Sequence, residues 1–119
     1  MADKIIKKSK IEIEISLNAA KLPEVIRWKA DDQPSNTGYQ ESKALLLSFF
    51  DKDTKDTLKI DLWTTEMQIV EMDRFMFQTL RALADTYFRA TANAQLANDM
   101  QLFVDYFGKQ TGIITEENG

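Results

Sequence analysis

A chain of 119 residues is the size of one domain, and 44% apolar with 29% charged residues is an ordinary globular balance. The sequence has no cysteine and no histidine, which removes disulfides, zinc fingers, thiol nucleophiles and catalysis through a histidine base. Lys+Arg 15 against Asp+Glu 19 leaves a net charge of −4, the wrong sign for a nucleic-acid partner held through its phosphates.

The N-terminus, MADKIIKKSK, has lysines but lacks the apolar stretch of an export signal, and no apolar run approaches the roughly 18 residues of a membrane span. The expectation is a cytoplasmic chain with no transmembrane segment. Lys4, Lys7, Lys8 and Lys10 form the one basic cluster, read as solvated lysines on a loose terminus covering residues 1–9.

From Lys10 to Leu17, Ile11, Ile13, Ile15 and Leu17 alternate with polar residues, which predicts a half-buried strand. Pro23 closes a connection, and Val25 to Ala30 alternates again, with Ile26 and Trp28 on one face and Arg27 and Lys29 on the other. Asp31 to Gln40, DDQPSNTGYQ, reads as a loop by its turn chemistry and crosses the end of a sheet. Lys43 to Phe50 is apolar without alternation, a strand covered on both faces. DKDTKD at 51–56 is a turn, and Thr57 to Trp63 alternates, so the two segments form a hairpin. The Asp-x-Asp run is not a calcium loop of the EF-hand kind: its sixth and twelfth positions hold Asp56 and Leu62 where glycine and glutamate are required.

Thr65 and Gln68 fit a capping box, with helix entry there or nearer Val70. Ile69, Met72, Met76, Leu80, Leu83 and Tyr87 repeat at helical spacing. Phe75, Phe77, Ala84 and Phe88 widen the apolar arc beyond what one sheet face requires, so a second helix also packs on it. Asn93 is a break or cap. Leu96, Met100, Phe103, Val104 and Phe107 then make a second stripe, with Gly108 and Gly112 as candidate stops and residues 113–119 as a loose tail. The expected fold is α+β in a single domain, 1–119: a four-stranded antiparallel sheet followed by two C-terminal helices packed on one face (ββββαα).

No glycine-rich phosphate loop, dinucleotide fingerprint or nucleophile elbow occurs, and no cofactor or metal is called for. Asp31 and Asp32 are adjacent carboxylates, but neighbours in a polar loop point apart, so an enzyme is disfavoured. The informative surface is the hairpin. With Leu45, Leu47, Phe49, Leu58, Ile60 and Leu62 under the helices, Ala44, Leu46, Phe50 and Trp63 point outward. Each large apolar side chain left wet forgoes about 1.5–3 kcal/mol, so Leu46, Phe50 and Trp63 are either the candidate protein interface, for self-association or client binding, or a face over which strand one or the long loop folds.

The segments KLPEVIRW (21–28), ESKALLLSFFD (41–51), LKIDLWT (58–64) and FMFQTLRALADTYFRAT (75–91) resemble the GldC family of gliding-motility-associated proteins, over about Lys10 to Phe107. The resemblance implies a small, non-enzymatic, cytoplasmic accessory protein of Bacteroidetes-type cells, tied to surface gliding and its secretion machinery, with protein partners there. One departure is Gln68, where the family often has proline. A weaker likeness, in element order alone, is to the SecB-type export chaperones, which bind unfolded preproteins and assemble as oligomers.

Overall fold

The computed structural model describes residues 4–33 and 38–115. The chain is α+β, five short antiparallel strands followed by two helices. It divides into two compact units, Met1–Met67 and Gln68–Gly119. Pro34 and Asn36 of the long loop, and the last four residues of the tail, lie outside the described residues.

In the first unit, β1 (Ile11–Leu17) and β2 (Pro23–Ala30) form the first hairpin. Its register places Ile13 opposite Trp28 and Ile15 opposite Ile26 on one face, and Glu12 opposite Lys29 and Glu14 opposite Arg27 on the other. Opposed residues share a face, so the alternation in each sequence segment fixes an apolar and a charged side. Ile26 is the most buried side chain among the described residues of the unit. On the charged side Lys29 pairs with Glu12 at 3.5 Å and lies 4.8 Å from the centre of the Tyr39 ring. Burial and the neighbouring glutamates push the Tyr39 hydroxyl above its ordinary pKa.

The remaining strands depart from a single sheet. Gln40–Ser42 (β3) pairs with β2, whereas Ala44–Phe50 (β4) pairs with Thr57–Trp63 (β5). One residue, Lys43, separates β3 from β4, so a nearly continuous extended segment changes sheets there. Three strands lie in one sheet and two in the other, where the sequence suggested four in one.

The β1–β2 and β4–β5 turns use the same device. The Asn18 side-chain oxygen accepts from the Ala20 and Leu22 N–H groups at 2.9 and 3.1 Å, and Lys21 takes φ 65°. The Asp51 carboxylate accepts from Asp53 and Thr54 N–H groups at 3.0 and 2.8 Å, and Lys55 takes φ 62°. In each, a short polar side chain substitutes for backbone acceptors and a lysine adopts the left-handed conformation that reverses the chain. The Asp51 bonds engage the charged form and hold its carboxyl below 3.8.

In the second unit, α1 (Ile69–Thr91) begins with Gln68 as N-cap, whose N–H donates to the Glu71 carboxylate at 3.0 Å. The reciprocal pair is therefore Gln68 with Glu71 rather than Thr65 with Gln68. The Thr65 N–H is bound to the Pro23 carbonyl at 3.1 Å and so is not available for the reciprocal half of a box, and the helix starts beyond it, after Gln68. Ala92, at φ 61°, ends α1, and the Asn93 side chain accepts from Leu96 N–H at 3.1 Å to start α2 (Ala94–Gln110).

The helix–helix core consists of Phe77 and Ala84 from α1 with Ala97, Val104 and Gly108 from α2. The two α1 residues belong to the extra arc expected to meet a second helix. On α2 the buried line is displaced by one position from the large-residue stripe: Ala97 rather than Leu96, Val104 rather than Phe103. Small side chains let the backbones approach, and the large ones take the flanks. Gly108 is part of this seam rather than a stop. A Cβ there would meet Phe77 and Ile114 at 2.6 Å, and the helix runs on to Gln110, with Gly112 at φ 78° turning the chain away.

Replacing Gly108 with Ala is expected to lower unfolding free energy by about 1–3 kcal/mol, from overpacking against Phe77; urea denaturation checks it. Because the Asp51 carboxyl is depressed in the folded state, its stabilisation is complete above the unfolded pKa and is lost as pH falls through and below 3.8. Asp51→Asn keeps the acceptor and removes the titration. The variant should show a smaller drop in the urea midpoint between neutral and acid pH than the parent protein.

Candidate interaction surface

The β4–β5 register settles which hairpin side chains share a face. Ala44 is opposite Trp63, Leu46 opposite Asp61, Ser48 opposite Lys59 and Phe50 opposite Thr57. Leu46 and Trp63 are therefore diagonal neighbours at one end. Phe50 is at the other end, about 20 Å along the strand from Ala44. Between them lie Lys59 and Asp61, paired at 3.4 Å. Leu46 is half-buried, while Trp63 is 55% and Phe50 69% exposed. The three residues proposed from sequence are thus not one patch: Trp63 has Leu46 near it, and Phe50 stands apart beside the turn.

What surrounds Trp63 is its own sequence neighbours together with Leu22 and Pro23, which are distant in sequence. Thr64 N–H donates to the Lys43 carbonyl at 2.8 Å, carrying the β5 ladder one step past Trp63. Thr65 N–H then reaches the Pro23 carbonyl, and Met67 N–H closes a turn on the Thr64 carbonyl at 3.1 Å. These backbone bonds draw the start of β2 against the end of β5. The result is a cleft of about 490 Å³ lined by Leu22, Pro23, Leu62, Trp63 and Met67, with Asp61 among its polar lining. Its size and chemistry, apolar walls with few polar groups, suit an apolar side chain or short segment of a partner. Sequence gave no signal for Leu22, Pro23 and Met67, because the contact rests on main-chain bonds rather than on side-chain pattern.

Thr64 is 4% exposed, and its hydroxyl oxygen has no hydrogen-bond partner. A buried hydroxyl without a partner retains its desolvation cost. The β-branched shape suits the strand, so the isosteric Val is accommodated there.

The acidic pair of the loop shows no convergence. Asp31 accepts from the Lys10 N–H at 3.0 Å, whereas Asp32 takes Lys7 at 2.8 Å and the Ser9 hydroxyl. Each carboxylate staples the segment before β1 to the loop, and the Lys7 and Ser9 bonds hold the Asp32 carboxyl below its usual value. Among the described residues, no group of three or more acidic side chains is placed to hold a metal ion, and no helix is long and apolar enough to cross a membrane.

Against known families, the model for gliding motility-associated, GldC-like proteins matches residues 23–113. The chain belongs to the GldC-like family. Membership associates it with gliding motility, and the family is not a known enzyme family. The match takes in β2 through α2, and with them every residue lining the cleft except Leu22. No curated protein and no solved structure matches the chain.

Thr64→Val is expected to be neutral or to raise stability by up to about 1 kcal/mol, because it removes the unpartnered hydroxyl while keeping the shape. Thr64→Ala leaves a void and should lower stability. Thermal unfolding of the two variants side by side checks both signs.

Proposed function

We propose that this protein is a non-enzymatic accessory of the gliding machinery and its associated secretion apparatus, acting in the cytoplasm by holding a protein partner. The observation that carries the reading is the Trp63 cleft: a half-exposed indole beside Leu22, Pro23, Leu62 and Met67. A large aromatic in an apolar recess is the commonest energetic anchor of a protein–protein contact. The family's link to gliding supports the biological setting, and the separate engagement of Asp31 and Asp32 supports a non-catalytic role.

A second reading, a holdase that binds apolar segments of exported proteins in the manner of SecB-type chaperones, is favoured by the other face of the hairpin. There Leu45, Leu47 and Phe49 oppose Leu62, Ile60 and Leu58, and Phe49, Ile60 and Leu58 are exposed. Such a surface takes apolar segments without regard to sequence.

Affinity capture from gliding cells separates the two. The accessory role requires a small, reproducible partner set that Trp63→Glu loses, with affinity falling about thirty-fold or more. Phe50→Glu, outside the cleft, retains those partners. Recovery of the same partners by the Trp63 variant would overturn the cleft as the contact. The holdase role requires suppression of aggregation of several unrelated unfolded proteins; none at stoichiometric excess rules it out.

A further inference from the structure

The outer edge of β5, whose far end at Trp63 borders the cleft, has a symmetry of its own. In its two-stranded sheet β5 has β4 on one side only. The ladder is regular over Thr57–Trp63, with no bulge, and the strand contains no proline or glycine. Natural edges are usually guarded by such devices or by charged side chains, and on β5 Lys59 and Asp61 are the guard, one that a partner of opposite charge answers.

The bonds flanking the ladder, Thr64 N–H to Lys43 and Asp51 N–H to Asp56, fix its phase. Residues 58, 60 and 62 turn their main-chain groups to β4, leaving those of Thr57, Lys59, Asp61 and Trp63 directed outward. We propose that two copies of this chain pair antiparallel through β5, with the two-fold axis at Ile60. In that register each outward residue meets another outward residue: Thr57 opposes the second copy's Trp63, and Lys59 opposes its Asp61. Leu58 falls beside Leu62, and Ile60 beside Ile60. Lys59 and Asp61, already 3.4 Å apart within one strand, become half of an alternating four-charge cluster. The apolar side chains Leu58 and Ile60, exposed on the single chain, continue across the axis as one face.

Charge selects this register. Sliding by one repeat in either direction sets Lys59 against Lys59 or Asp61 against Asp61, and directly opposed like charges are destabilising. Of the other outer strands, β1 and β3, fully overlapped with their own copies, set Glu14 against Glu14 and Glu41 against Glu41, and β4 carries no charge to select a register. The second copy is therefore the occupant to which the β5 edge is complementary. The pairing does not rest on the cleft as a partner site, although the two share Asp61, Leu62 and Trp63.

The test uses the reciprocal charges. Sedimentation velocity at about 100 μM, well above a micromolar dissociation constant, should find the full chain dimeric. Lys59→Asp and Asp61→Lys, each alone, put like charges in register and should weaken the dimer at least about tenfold. An equimolar mixture of the two variants restores opposite charges at every position and should recover a mixed dimer, as should the double variant with itself. Far-UV circular dichroism shows that each variant retains its strands. A monomeric parent chain would overturn the proposal and leave the edge to an extended segment of another protein. A dimer that either single variant leaves intact, or that mixing fails to recover, would overturn it equally.

Discussion

The first unit depends on one extended segment serving two sheets. Residues 40–42 bond to β2, and residues 44–50 bond to β5, with the chain changing partners across Lys43. The Lys43 carbonyl accepts the Thr64 N–H, so the point where one ladder ends is also where the other begins. Main-chain groups at a sheet junction must find partners or bear the cost of desolvation. Here they find them in Thr64 and Thr65, and that solution brings Pro23 and Leu22 to the end of β5. The cleft beside Trp63 is a by-product of satisfying the backbone.

The same segment explains why the two faces of the β4–β5 hairpin differ so sharply. Its register sets Leu45, Leu47 and Phe49 against Leu62, Ile60 and Leu58, while Ser48, Lys59 and Asp61 fall together on the opposite side. A shift by one residue would exchange these faces. The turn at Asp51 prevents it: the carboxylate holds two N–H groups, and Lys55 supplies the left-handed residue that brings Asp56 back to Asp51 at 2.9 Å. In the second unit the corresponding constraint is volume, with Ala97 and Gly108 setting how near α2 comes to Phe77.

Much of this order was legible from the residues. Alternation of Ile11, Ile13 and Ile15, the polar run DKDTKD, and the wide apolar arc of α1 each report a local, side-chain-level requirement, and the strands, turn and helix pair follow them. The family was legible too, since its likeness resides in those same segments. Three features were not. The break at Lys43 is a choice between main-chain partners, and side-chain alternation has no record of it. The displaced seam on α2 reflects a preference for Ala97 and Gly108 at a close approach, which a search for large residues passes over. The position of Phe50 depends on strand length, which separates it from Trp63 although both lie on one face. Leu46 and Trp63 are neighbours, but the cleft beside Trp63 adds Leu22 and Pro23 from the start of β2.

Every pairing joins consecutive elements: β1 with β2, β2 with β3, β4 with β5, α1 with α2. No ladder waits for a strand made much later, although the Thr65 bond ties β5 back to Pro23, and the β1–β2, β4–β5 and α1–α2 turns carry their own closing residues in Lys21, Lys55 and Ala92. Loops this short add little entropy to closure, and chains dominated by near-neighbour contacts fold fast. On a ribosome, each hairpin is complete in sequence soon after it emerges, so its apolar face spends little time without its own strand beside it. A chain whose folded form leaves Leu, Phe and Trp side chains exposed thereby limits the time in which still more apolar surface is bare.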